Sequence, residues 1–307
     1  MRRSIDSLQA GRGLAALAVV FHHAAQAGRD LGGADFPGRS VMLDGYLGVD
    51  FFFVLSGFII YHSTVARGRS LQSYAAARFR RVYLPYWPLG IAIALYYVFN
   101  PAIHEWSWFP TLTLFPVDAD TALSVAWTLK HEILFYLLFG LFYFSGLLPV
   151  GLVAWVIAIM LGPDNLPFRS LNLEFLFGIA ACILYQKRLA SPLLLLVAVV
   201  PLGLWIALGG NEADRLLIGL AFGLAVAPVA QLEAKSKFHV SKILVALGAA
   251  SYSLYLVHPI VVSIILRLGV AIVPFGVAAS LVAGFAYHFL VERRVIRRRA
   301  NPEVFQG

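Results

Sequence analysis

Gly45–Thr64, GYLGVDFFFVLSGFIIYHST, is a nearly unbroken apolar run with a single carboxylate, Asp50. A helix needs roughly 20 such residues to cross the hydrocarbon of a bilayer, about 30 Å thick. The run therefore predicts a transmembrane helix. Nine more stretches obey the same rule: Leu8–Ala27, Val82–Phe99, Ser124–Tyr143, Leu147–Leu161, Leu171–Tyr185, Pro192–Leu208, Leu216–Leu232, Ile243–Leu266 and Val270–Val291. The expected fold is all-α, a polytopic membrane bundle of about ten transmembrane helices. Two of these spans are short, and Trp106–Pro116 reads as an interfacial or re-entrant piece.

Composition supports that class. Of 307 residues, 60% are hydrophobic and only 13% charged. A soluble chain of this length needs a larger polar shell, whereas lipid solvates an apolar one. Mean hydropathy is +0.79. Aromatic residues make up 14%, as expected where Trp and Tyr anchor both interfaces. The one cysteine, Cys182, excludes a disulfide framework and a cysteine metal site.

Positive charge sets the orientation. With the N-terminus inside, 18 of the 24 Lys and Arg residues fall in cytoplasmic segments. Five, Arg29, Arg39, Arg169, Arg215 and Arg267, fall outside. Cytoplasmic loops carry the excess of Lys and Arg, so an even span number with both termini cytoplasmic is expected. The net charge of +8 then needs no nucleic acid. The expected division is a transmembrane domain over 1–292 and a basic cytoplasmic tail over 293–307. Within the tail, Glu303–Gly307 resembles a protease-tag scar and carries no functional reading.

Ionisable groups inside a bilayer are costly and mark function. The first span carries His22 and His23, the second Asp50, the fourth Lys130, His131 and Glu132, the sixth Glu174, the ninth His258 and the tenth His288. Eleven helical steps from Arg12, about 16 Å, bring His23 close to the midplane. Asp50, Glu132 and His258 fall at comparable outer depths, so the four are expected to meet. Lys130 and His131 read as headgroup neighbours, and Glu174 as solvated near the outer interface. On the cytoplasmic side Arg78 and Arg81 share a helix face and Arg12 lies on the same aqueous side. Three guanidinium groups at a membrane mouth suit a phosphate-rich ligand; positive-inside anchoring is the plainer alternative.

Four stretches carry a resemblance: Ile5–Ala16 running on to His22-His23, Gly48–Phe58, Trp127–Tyr136 and Ser251–Pro259. In order, they resemble the acyltransferase 3 family of bacterial membrane O-acyltransferases. Arg12 and His23 stand at that family's Arg-x10-His spacing, and Arg78 and Arg81 match its arginine pair. Gln9 and Ala10 depart from a common opening of the family. The chain ends soon after its last span, similar to exopolysaccharide-modifying members that lack an appended hydrolase-like domain.

The resemblance implies a multi-pass protein of the bacterial inner membrane, with cytoplasmic acetyl-CoA or another acyl-CoA as donor. It also implies a hydroxyl of a glycan or lipid-linked saccharide as acceptor, and no metal. Arg12, Arg78 and Arg81 are expected to bind the donor's nucleotide. His23 is expected as general base or transient acyl carrier, with Glu132 or Asp50 orienting it and His258 as a second relay. Trp106, Trp108 and Trp127 either stack on sugars or anchor at the interface. A proton-coupled transporter or flippase, using His23, Asp50 and Glu132 as a relay, is the alternative.

Overall fold

The structure is a computed structural model describing residues 5–30, 37–68, 70–101, 104–235, 239–269 and 272–297. Arg2, Arg3, Arg69, Lys237, Arg298, Arg299 and the rest of the tail to Gly307 lie outside the described residues, as does the start of the expected tenth span, Val270–Ala271.

The described residues form helices and the turns between them, without strands. In order the helices are α1 (Asp6–Asp30), α2 (Arg39–Leu43), α3 (Gly48–Arg67), α4 (Leu71–Phe99), α5 (Trp108–Thr113), α6 (Trp127–Phe144) and α7 (Leu148–Leu161). They continue with α8 (Leu173–Gln186), α9 (Leu193–Ala207), α10 (Leu216–Lys235), α11 (Lys242–Ala249), α12 (Ser251–Arg267), α13 (Ile272–Tyr287) and α14 (Arg293–Arg297). A π turn, His288–Glu292, joins the last two.

Each of the ten expected spans coincides with helix, but fewer meet the physical test for crossing. Five apolar helical segments among the described residues are long enough, and a sixth counts if α11 and α12 form one span bent by 68°. The difference has identifiable causes. The helices α7, α8 and α9 hold 14, 14 and 15 residues, about 21–23 Å at 1.5 Å per residue. The 25-residue α1 is long enough but carries Arg12, His22 and His23.

Small residues place α1 in the middle. Ala15, Ala16, Ala24 and Ala25 are buried along it, and α3, α11, α12 and α13 all pack on it. Without side-chain bulk, backbones approach closely. A β-carbon on Gly13 or Gly248 would strike the backbone of the facing helix. The start of α1 is capped in trans. The N–H groups of Asp6 and Ser7 donate to Glu233 Oε1 and Oε2 at 2.7 and 2.8 Å. An anion there satisfies amides that no helical carbonyl reaches.

The second tight seam joins α3 to α8. Gly57 faces the Phe175 carbonyl and Gly178 faces the Val54 carbonyl, so either β-carbon would collide with main chain. By contrast α7 and α9 expose Val153, Ile157, Leu196 and Val200, a surface suited to lipid. The Trp106–Pro116 stretch forms only the six-residue α5. Tyr86 and Trp87 of α4 hold it through the Thr111 and Leu112 carbonyls.

Candidate active site

The polar residues expected to converge separate into three places. Depth along a helix does not fix direction, and direction is what divides them. Asp50 and Ser56 are six positions apart on α3, about 120° around the axis at 3.6 residues per turn. They serve different sites.

The first is an arginine-lined cavity. It has a volume of about 120 Å3 and is lined by Arg12, Arg78, Arg81, Ser56, Glu132 and Tyr136, among others. Arg78 lies over the Tyr136 ring at 5.6 Å, and its Nε donates to none of the described residues. Arg81 lies over the Tyr252 ring at 5.1 Å and donates to Glu292. Glu132 accepts hydrogen bonds from Tyr136 and, at 3.4 Å, from Ser56. Glu132 is therefore a counter-charge inside the arginine cavity, not a partner of His23. The three arginines do come together, with apolar and aromatic walls from Val49, Phe52 and Tyr255.

The second place is the histidine pair. Nδ1 of His23 donates to the Val19 carbonyl at 3.0 Å, and Nδ1 of His258 to the Leu254 carbonyl at 3.2 Å. A carbonyl cannot donate, so both imidazoles carry their proton on Nδ1 and a lone pair on Nε2. His258 Nε2 stands 3.3 Å from His23 Nδ1 and accepts a share of that proton. Nε2 of His23 is left as the available base. Pro259 contributes to this arrangement: it has no N–H, so the Tyr255 carbonyl loses its helical donor next to the His258 ring. Tyr255 lines the cavity and its ring lies 5.6 Å from that of His258, so one aromatic side chain separates cavity from histidine pair. The Tyr255 hydroxyl is fixed by Thr128 Oγ1 at 2.8 Å and the Val125 carbonyl at 3.1 Å.

The third place holds Asp50. Arg215 binds it bidentately, Nε to Oδ1 at 2.9 Å and Nη2 to Oδ2 at 2.7 Å. Glu174 lies beside this pair and is fully buried, not solvated. Its carboxyl occupies space that Gly219 leaves open. Among the described residues, Asp50 connects to His23 through a run of neighbours: Arg215 over Tyr46 at 5.1 Å, Tyr46 against His22 at 5.7 Å, and His22 against His23 at 5.0 Å. Neither Asp50 nor Glu132 orients the His23 ring; His258 and Val19 do. A relay built from His23, Asp50 and Glu132 is not assembled.

Lys130 and His131 are also buried within the protein. Lys130 Nζ donates to the Val117 and Ala119 carbonyls at 2.9 and 2.7 Å, pinning the loop before α6. His131 Nδ1 donates to Asn172 Oδ1 at 2.8 Å, tying α6 to the start of α8. Trp127 packs its ring on His131, while Trp106 and Trp108 lie edge to face with each other.

Sequence reading missed Arg215 and Glu292. Arg215 stands one residue before α10, where a lone arginine reads as a topology charge. Glu292 directly precedes Arg293 and Arg294 and is obscured by that basic run. Among the described residues no three His, Cys, Asp or Glu side chains are grouped to hold a metal ion.

The chain is similar to the exopolysaccharide production protein ExoZ of Rhizobium meliloti strain 1021. The two are 28% identical over 296 residues, covering 86% of this chain and 93% of that protein. No solved structure matches it. A family model described as an acyltransferase domain matches residues 5–291, which takes in the arginine cavity and the histidine pair. The match spans nearly the whole chain, and on it the chain belongs to the acyltransferase 3 family.

Proposed function

We propose that this protein is an integral membrane O-acyltransferase of the bacterial inner membrane. It moves an acyl group, acetyl in the expected case, from acyl-CoA to a hydroxyl of an exopolysaccharide or a lipid-linked glycan. One observation carries the reading: the arginine-lined cavity ends a single aromatic side chain away from a histidine pair with an available Nε2. The similarity to an exopolysaccharide production protein supports the class of acceptor.

In this proposal the phosphates of the donor sit on Arg12, Arg78 and Arg81, whose planar forks suit phosphate oxygens. The thioester lies deeper, near Tyr255. The apolar walls exclude water that would hydrolyse it. His23 Nε2 takes the proton of the acceptor hydroxyl as its oxygen attacks the thioester carbonyl. The carbon–sulfur bond breaks, and the imidazolium returns that proton to the leaving thiolate. The products are the acyl ester and free CoA thiol. His258 keeps His23 in the reactive tautomer and accepts from it while it is charged. Asp50 acts at a distance, by holding Arg215 and the helices around it.

The proposed topology has ten crossings, the short helices α7, α8 and α9 included, with both termini cytoplasmic and the arginine cavity opening to that side. Residues 1–292 form the catalytic unit, and the basic tail, 293–307, lies against anionic lipid. His23→Ala tests the chemistry. Transfer falls by about 10²–10⁴-fold, the range for a general base, while the protein remains inserted and folded. Mass spectrometry of surface glycans from cells with and without the protein identifies the ester. Near-normal esterification by the His23→Ala protein rejects the mechanism.

A further inference from the structure

The last span does not run out as a plain α-helix. It winds as α to Tyr287, as a π turn over His288–Glu292, and as α again from Arg293. A π turn inserts a residue into the ladder and rotates the helix beyond it, and such turns concentrate at functional sites. Here it brings an acid inward from the edge of a basic run. The Glu292 side chain is 1% exposed.

Both oxygens of this carboxylate are taken. Oε1 accepts from Arg81 Nη1. Oε2 accepts from Ser253 Oγ at 2.6 Å and from His288 Nδ1 at 2.8 Å. Three segments of the bundle meet there: α4 with Arg81, α12 with Ser253, and the π turn with Glu292 and His288. The guanidinium is held a second time by the Tyr252 ring. Arg81 still lines the cavity, because Glu292 engages only one of its nitrogens and leaves donors facing inward.

We propose that Glu292 is the positioning residue of the donor cavity, an inference that rests on the acyl-CoA reading. It fixes Arg81 in the rotamer that meets a donor phosphate before the donor arrives. An arginine ordered in advance loses less freedom on binding, so affinity rises without a new contact to the ligand. Arg78 shows the contrast: it has a ring beneath it but no comparable anchor on Nε. Glu292 touches no reacting atom in this scheme, so its removal changes donor affinity and spares the chemical step.

The test uses the full chain in detergent or nanodiscs, with acetyl-CoA as probe. Kd is read by equilibrium binding, and KM and kcat from release of CoA thiol. Glu292→Gln raises Kd and KM about tenfold, the scale of a lost charge-assisted hydrogen bond, and leaves kcat within about twofold. Glu292→Asp and Ser253→Ala keep the charge but change its aim. They raise Kd by a smaller factor and keep the question open to measurement if the Gln protein does not insert. Arg81→Ala raises Kd at least as much as Glu292→Gln. In the Arg81→Ala background, adding Glu292→Gln costs nothing further. Unchanged Kd in the Glu292 and Ser253 variants, with Arg81→Ala weakened, overturns the positioning role and leaves the donor reading intact. Additive losses in the double variant mean a structural tie, and also overturn it. If Arg81→Ala itself binds acetyl-CoA normally, the donor reading has failed first.

Discussion

Two imidazoles that each give Nδ1–H to a main-chain carbonyl four residues back have little freedom in either tautomer or ring angle. That makes the division of labour between them testable. His23 has the open nitrogen, while His258 is fully buried and already uses both of its own. His258→Ala should lower kcat by roughly tenfold, well short of the 10²–10⁴-fold expected at His23, and should leave KM for acetyl-CoA unchanged. Steady-state CoA release measures both. A kcat equal to that of the unaltered protein would remove His258 from the site. The sequence places His23 close to the midplane and His258 in the outer half of the bundle, from helical steps counted along each span. It cannot reveal that they face each other, or that Glu132 bonds to Tyr136 and Ser56 in the arginine cavity. Contact across helices depends on azimuth, and azimuth is set by packing.

At the scale of elements, the bundle is held by close backbone seams and buried ion pairs, of which Asp50–Arg215 is more enclosed than Arg81–Glu292. Asp50 is fully buried, and the side chain of its partner Arg215 is 16% exposed. Removing one member of such a pair leaves a charge with no compensation, which costs about 3–5 kcal/mol. Arg215→Ala should therefore lower thermal stability strongly in detergent. Adding Asp50→Asn should recover much of the loss, because the carboxylate that Arg215 binds is then gone. Thermal unfolding followed by fluorescence size-exclusion decides it. An Arg215→Ala protein as stable as its parent would mean that Asp50 is solvated. The existence of α3, α4, α6 and α10 is legible in sequence, since long apolar runs bounded by charge admit one solution in lipid. The bend between α11 and α12 and the π turn are not legible. Both are small local departures whose benefit lies in side chains far away in the chain, such as Arg81, 211 positions before Glu292.

For the whole molecule the open physical question is how short helices cross a thick bilayer. At about 23 Å, α9 falls short of the roughly 30 Å of hydrocarbon unless the bilayer thins around it or flanking residues extend the span. The turns on either side of it decide the topology: residues 187–192 before it and 208–215 after it. If α9 crosses, they lie on opposite faces of the membrane. The proposed orientation puts Lys187 and Arg188 inside and Arg215 outside, in keeping with the preference for inside Lys and Arg. The chain offers a clean way to measure this, because its one cysteine, Cys182, is buried and unpaired. In a Cys182→Ala background, single variants Arg188→Cys and Gly210→Cys can be treated in intact cells with a membrane-impermeant maleimide. Gly210 sits at positive φ, which costs a cysteine about 1–2 kcal/mol, in an open turn where the added side chain meets only the Trp205 ring. Position 210 should label from outside, and position 188 only after the cells are opened. Labelling of both from the same side would show that α9 lies along or within one leaflet. The span count would then fall below ten, and the basic tail would sit across the membrane from the N-terminus.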